Sequence, residues 1–226
     1  MPLDPTRIKA ICFDIDGTLA DTDDLMVEKT ARFLSALLFA FPLQTRLNYA
    51  RKLIMAMETP ANTLLHLFDR IGLDDWFFRL RLKFLPWKRR KKPLWKPIHG
   101  VRETLLELAN HYLLAIISVR DAHLTQSFID QMELSSVLKC WASAETTRHT
   151  KPFPDPIRWV AEQLEISPTE CLMVGDTTVD IRAGKNAGAQ TVGVLSGFGE
   201  ESELRAAGAD EVLEDINQLP EKILFT

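Results

Sequence analysis

Four short apolar runs, rich in β-branched residues and interleaved with helical patterns, leave this chain few folds. They are IKAICF (8–13), LLAIIS (113–118), CLMV (171–174) and TVGVL (191–195). Runs this apolar, without polar alternation, suit strands covered on both faces, as in a parallel sheet. Between them, VRETLLELAN (101–110), AHLTQSFIDQM (122–132), DPIRWVAEQL (155–164) and TVDIRAGKNAG (178–188) space their apolar residues for one buried helix face. Gly188 is placed to cap the last of these. Strand and helix in alternation predict an α/β fold: a Rossmann-like, doubly wound parallel sheet with right-handed crossovers.

The rhythm breaks over residues 20–96, which hold no strand pattern. LMVEKTARFLSALLFA, RLNYARKLIMAM and NTLLHLFDRIG all read as helix. The expected organisation is a core of residues 1–19 and 97–226, with a helical cap, 20–96, inserted after the first strand. FLSALLFAFPL (33–43) reads as cap core or a contact surface, and is too short to span a bilayer. Asp21, Asp23 and Asp24 read as helix-start charges complementing the dipole.

With 46% hydrophobic and 26% charged residues, the composition is that of a soluble globular protein. A formal net charge of −4 argues against nucleic acid as a partner of the chain as a whole. Three scattered cysteines, Cys12, Cys140 and Cys171, show no zinc spacing and no disulfide framework. Cys12 and Cys171 lie in strand runs, as buried thiols do. The N-terminus has no apolar signal-peptide core, so the expected location is cytoplasmic.

The chemistry concentrates where strands end. In an open α/β sheet, ligands bind beyond the carboxyl ends of the strands. Asp14 and Asp16 follow the first strand, Ser118 ends the second, and Asp176 and Asp180 follow the run at 171–174. Residues two apart in extended chain share a side, so Asp14 and Asp16 can face one site. Asp176 and Asp180, four apart at a helix start, lie on one helix face. Converging carboxylates repel unless a cation sits among them, and an all-oxygen set suits Mg²⁺. Lys151, in the proline-stiffened TKPFPDP, can offset the remaining charge and contact a phosphate. Ser118, Asp176 and Asp180 also have a plainer reading as helix-start residues.

DIDGTLAD (14–21), the strand-end Ser118, KPFPDP (151–156) and GDTTVDIRAGKNAGAQTVGVLSGFG (175–199), in that order, resemble the four motifs of the haloacid dehalogenase-like hydrolase superfamily, in its phosphoglycolate-phosphatase-like branch. The resemblance covers residues 7–22 and 98–220. It implies an Mg²⁺-dependent phosphatase acting on a small phosphate monoester, phosphoglycolate-like or a sugar phosphate, through an aspartyl-phosphate. Asp14 would be the nucleophile, and Asp16 the acid and then the base. The metal would be held by Asp14, the Asp16 backbone carbonyl and Asp176, with Asp180 in its outer shell or orienting Lys151. Ser118 and Lys151 would hold phosphoryl oxygens, Gly17 would let the chain turn out of the strand, and Thr18 would help position the loop against the phosphate. The family's asparagine after the motif-two Ser or Thr is replaced by Val119, leaving that donor's place to backbone amides or Arg120. Asp16 argues for phosphoryl transfer over C–halogen cleavage, since the dehalogenase branch lacks it. A phosphomutase would use the same motifs, and the different-class alternative is a binding protein acting through the cap.

The insert carries one oddity. Between Trp76 and Arg102 there are 10 Lys or Arg and no Asp or Glu, whereas the remainder has 17 basic and 31 acidic residues. Three readings compete: a solvated charged face, a steering field for anionic substrates, and weak membrane-surface contact through 86–97, where Trp87 and Trp95 flank Lys88–Lys92. Cap residues would set specificity. A monomer or a homodimer is compatible with the sequence.

Overall fold

The apolar runs become the middle of a six-stranded sheet in the computed structural model of this chain, which describes residues 2–21 and 95–224. These residues belong to one unit, Met1–Asp23 with Trp95–Thr226. The strands are β1 (Ala10–Phe13), β2 (Leu113–Ile117), β3 (Leu138–Ala142), β4 (Cys171–Gly175), β5 (Gln190–Val194) and β6 (Glu211–Leu213), in the order β3-β2-β1-β4-β5-β6. Every pairing is parallel. The helices are α1 (Val101–Leu108), α2 (Ala122–Gln131), α3 (Asp155–Gln163), α4 (Thr178–Ala187), α5 (Glu201–Ala207) and α6 (Leu219–Ile223).

Alternation along the strands divides the core in two. Ile11, Phe13, Leu114, Ile116, Leu172 and Val174 face one side, where α1, α2 and α6 supply Leu105, Phe128 and Leu219. Ala10, Cys12, Ala115, Ile117, Cys171 and Met173 face the other, against Ile157 and Val160 of α3 and Ala183 of α4. Burial of each large apolar side chain contributes roughly 1.5–3 kcal/mol, and Phe13, Phe128 and Ile116 are fully buried. Cys12 and Cys171 are buried free thiols. Among the described residues, no helix is long and apolar enough to cross a membrane.

Two edge strands and two short helices escape the sequence pattern. β3 contains the exposed Lys139 and is only half-buried, so LKCWA lacks an apolar run. β6 is three residues long, too short to show a period. Gly188 caps α4 at φ +84°, as expected. Asp121, not Ser118, caps α2, its carboxylate accepting from the Leu124 amide at 2.8 Å.

The two connections to the inserted segment are joined side by side. The Asp21 amide donates to the Lys96 carbonyl and the Ile98 amide to the Leu19 carbonyl, at 2.8 and 3.1 Å, and Lys96 forms an ion pair with Asp21. The expected cap, 20–96, lies outside the described residues except at these ends, as does the basic run before Trp95, with Trp87 and Lys88–Lys92. Trp95 itself corrects one part of the membrane-contact reading. It is 3% exposed, with its ring edge-on to Phe128 at 5.4 Å. Its backbone is held twice by the Gln131 side chain, at 3.0 and 2.8 Å. An indole packed into the core cannot lie in a lipid interface.

Asp210 ties the far edge of the sheet together. Its Oδ2 accepts from the Thr191 amide at 2.8 Å and from Lys185 of α4 at 2.5 Å. Burial works against its charge, but Lys185 and the Thr191 amide outweigh this and hold its pKa below the ordinary carboxylate range. The resulting stabilisation is complete above the unfolded-state value of about 3.9 and is lost as pH falls through the lowered folded value. We expect Asp210→Asn to cost about 1–3 kcal/mol. Urea melts should show a lower midpoint at pH 7 with an unchanged slope, and a difference that shrinks under acid conditions.

Candidate active site

Strand register brings the polar residues to one edge. Phe13 pairs with Val174 of β4 and Ile116 of β2, so Asp14, Asp176 and Ser118 leave the sheet side by side. The reversal of strand order lies between β1 and β4, where open α/β sheets bind ligands. The Asp14 amide still reaches the Val174 carbonyl at 3.0 Å, which prolongs the ladder under the carboxylate. Past it the chain coils back: the Leu19 amide donates to the Ile15 carbonyl at 2.9 Å, and Gly17 takes φ +72°. Ser196, beyond β5, donates to the Gly17 carbonyl at 2.7 Å and pins this loop.

Lys151 joins two carboxylates. Its Nζ donates to Asp14 Oδ1 at 2.7 Å and to Asp180 Oδ1 at 2.5 Å, and the lysine is 3% exposed. The loop carrying it is tied to α4 by Asn186, which donates to the Pro152 carbonyl at 3.0 Å, and to α3 by a 2.9 Å contact between His149 and Asp155. Asp180 spends its other oxygen on Thr177, accepting from the amide at 3.1 Å and the hydroxyl at 2.7 Å. Asp180 is thus fixed at the start of α4 and aimed at Lys151. Position 175 must be glycine for this, because a Cβ there would lie 2.3 Å from Asp180 Cβ.

Asp176 is fully buried. Its Oδ1 accepts from the Thr18 hydroxyl at 3.3 Å and its Oδ2 from the Phe198 amide at 2.9 Å. The SGFG loop presses so closely that a Cβ on Gly197 would sit 2.1 Å from Asp176 Oδ2. Thr18, expected near the phosphate, therefore points its hydroxyl at Asp176. Thr177 occupies the N-cap of α4, so Asp176 does not cap it.

Asp16 and Arg120 form a second pair, farther out. Arg120 donates through Nε to Asp16 Oδ2 and through Nη2 to Asp16 Oδ1, both at 2.6 Å. The guanidinium lies 4.9 Å from the centre of the Trp95 ring. Burial opposes its charge, but Asp16 outweighs this and raises the Arg120 pKa. Ser118 Oγ accepts from the Arg120 amide at 3.1 Å, which leaves the hydroxyl proton to donate elsewhere.

The inner cluster suits a cation. Asp14, Asp176 and Asp180 bring one carboxylate oxygen each within 4.8 Å of one another. Burial pushes the Asp14 carboxyl up to about 7, against the pull of Lys151. Burial also opposes the Lys151 charge, yet Asp14 and Asp180 outweigh it and hold the ammonium well above the ordinary lysine range. The geometry supports the charged ammonium, since Nζ donates to two carboxylates. One lysine then faces three buried carboxylates, a donor set and a charge that fit a hard divalent cation.

Of the residues singled out from sequence, Lys151 joins Asp14 and Asp180 by hydrogen bonds, Thr18 and Asp176 form a hydrogen-bonded pair close beside them, and Asp16, Arg120 and Ser118 form a third group. Sequence reading did not assign Ser196, Thr177, the Phe198 amide or Trp95. Ser196 and Phe198 could have been found, because they follow β5 at the same edge of the sheet. Trp95 had no such signal.

The haloacid dehalogenase-like hydrolase family profile matches residues 11–194. Pyrophosphatase PpaX of Anoxybacillus flavithermus is 30% identical, over 94% of this chain and 95% of that protein. Two crystal structures share the fold. A predicted phosphoglycolate phosphatase from Haemophilus somnus is 19% identical, covering 96% of this chain and 98% of that one, with a TM-score of 0.62. A HAD-superfamily hydrolase of subfamily IA from Geobacter sulfurreducens is 22% identical, covering 96% and 97%, also with a TM-score of 0.62. The chain belongs to the haloacid dehalogenase-like hydrolases.

Proposed function

We propose that this enzyme hydrolyses a small phosphoryl compound, a monoester or pyrophosphate, through an aspartyl-phosphate on Asp14. The observation that carries the reading is Asp14 itself: a buried carboxylate at the switch point of the sheet, 2.7 Å from a buried lysine and grouped with two further buried carboxylates. The similarity to proteins named pyrophosphatase PpaX supports an anhydride among the substrates. The enzyme works in the cytoplasm in this reading, where its free cysteines stay reduced.

One oxygen of Asp14 attacks phosphorus, and the bond to the leaving oxygen breaks with its electron pair on that oxygen. Asp16 gives the leaving oxygen a proton. In the second half, Asp16 takes a proton from water as the water oxygen attacks phosphorus, and the Asp14–phosphorus bond breaks to restore the carboxylate. Lys151 holds a phosphoryl oxygen beside Asp14 and is itself held by Asp180. The Ser118 hydroxyl donates to a second phosphoryl oxygen. Thr18 and the Phe198 amide fix Asp176. Mg²⁺, held by Asp14, the Asp16 carbonyl and Asp176, would supply the positive charge that lets two anions approach.

A panel of phosphate monoesters and pyrophosphate, assayed for phosphate release with Mg²⁺ and with EDTA, tests the reading. Release should need the metal. Asp14→Asn should lose turnover by about 10⁴-fold or more with unchanged circular dichroism; substantial activity in that variant sinks the nucleophile assignment. Asp176→Asn should raise the Mg²⁺ concentration for half-maximal activity by more than about 10-fold. An unchanged Mg²⁺ requirement would remove Asp176 from the metal.

A further inference from the structure

The Asp16–Arg120 fork occupies both oxygens of the Asp16 carboxylate. Arg120 must leave at least one of them before Asp16 can face a departing oxygen, and the substrate is the agent at hand.

Exposure says which part of the substrate meets Arg120. Lys151 and Asp180, with side chains 3% and 1% exposed, fill the inner side of the site, whereas the Arg120 and Asp16 side chains are 31% and 24% exposed. A phosphoryl group seated against Lys151 has its leaving portion directed outward, past Asp16 and Arg120. The guanidinium is already positioned there. It lies on Trp95, whose backbone Gln131 grips at both polar atoms. The buried indole N–H of Trp95 has no hydrogen-bond partner among the described residues, so a second donor stands near that platform. A guanidinium fork matches a carboxylate or a phosphate as well as it matches Asp16.

We propose that Arg120 selects substrates whose leaving portion carries a second anionic group, carboxylate or phosphate, by exchanging Asp16 for that group. The inference rests on the hydrolase reading above. Exchange binds the leaving portion and frees Asp16 to approach the departing oxygen. A leaving portion without the anion leaves Asp16 locked in the fork.

The test compares near-isosteric ligands that differ in that anion. Isothermal titration in the Asp14→Asn background, with Mg²⁺, reads 2-phosphoglycolate against ethyl phosphate and pyrophosphate against methyl phosphate. The first pair reports a carboxylate and the second a phosphate, so the arms distinguish the two sources. The preference for the anionic member should collapse about 100-fold on adding Arg120→Ala and recover in part with Arg120→Lys, which keeps the charge but not the fork. No preference in either pair, or one that survives Arg120→Ala, overturns the proposal. Failure of the hydrolase reading would look different: wild type and Asp14→Asn would release phosphate alike, while the binding ratios would still report on Arg120.

Discussion

Like charge crowded into a dry place is the constraint around which this protein is arranged. Three carboxylates, those of Asp14, Asp176 and Asp180, lie buried within a few ångströms of one another, and each repels its neighbours in a medium that screens poorly. The Lys151 ammonium bridges two of them. Amides and hydroxyls take up much of the rest: Thr18 and the Phe198 amide on Asp176, and Thr177 on Asp180. Removing one partner from such a set leaves an uncompensated buried charge, which is far costlier than the loss of a surface pair.

The sheet makes this crowding possible without strain on the backbone. Parallel strands in register deliver β1, β2 and β4 to a common edge, and apolar packing on both faces fixes their spacing. Polar loops then have only to turn inward. The glycines at 175 and 197 let backbone approach the carboxylates more closely than any side chain would allow. The outer pair, Asp16 and Arg120, has its own hydrogen bonds, yet its charge reaches the inner cluster, where burial raises the Asp14 pKa and Asp16 adds to the rise.

Much of this was legible from the chain. The four central strands, the helices between them, and the placement of Asp14, Ser118 and Asp176 at one edge all follow from apolar runs ending in polar residues. Edge strands were not legible: β3 and β6 bury too little for their side chains to show a pattern. The partners of the carboxylates were hidden for a different reason. Phe198 contributes a backbone amide, which leaves no mark in side-chain chemistry. Arg120 reads as a phosphate donor by its proximity to Ser118, yet it holds Asp16 across 104 positions of sequence, a pairing that only the fold creates. Trp95 sits in a basic stretch and reads as a surface residue, but it is core.

The paired connections at Leu19–Asp21 and Lys96–Ile98 have a consequence for how this chain can vary. Because the two ends are joined by the core itself, the segment between Asp21 and Trp95 is a closed loop whatever its content. The entropy of closing such a loop grows only with the logarithm of its length, about 0.6 kcal/mol per doubling. Changes of length between those ends therefore need not shift the strand register or the sheet edge that carries the candidate site.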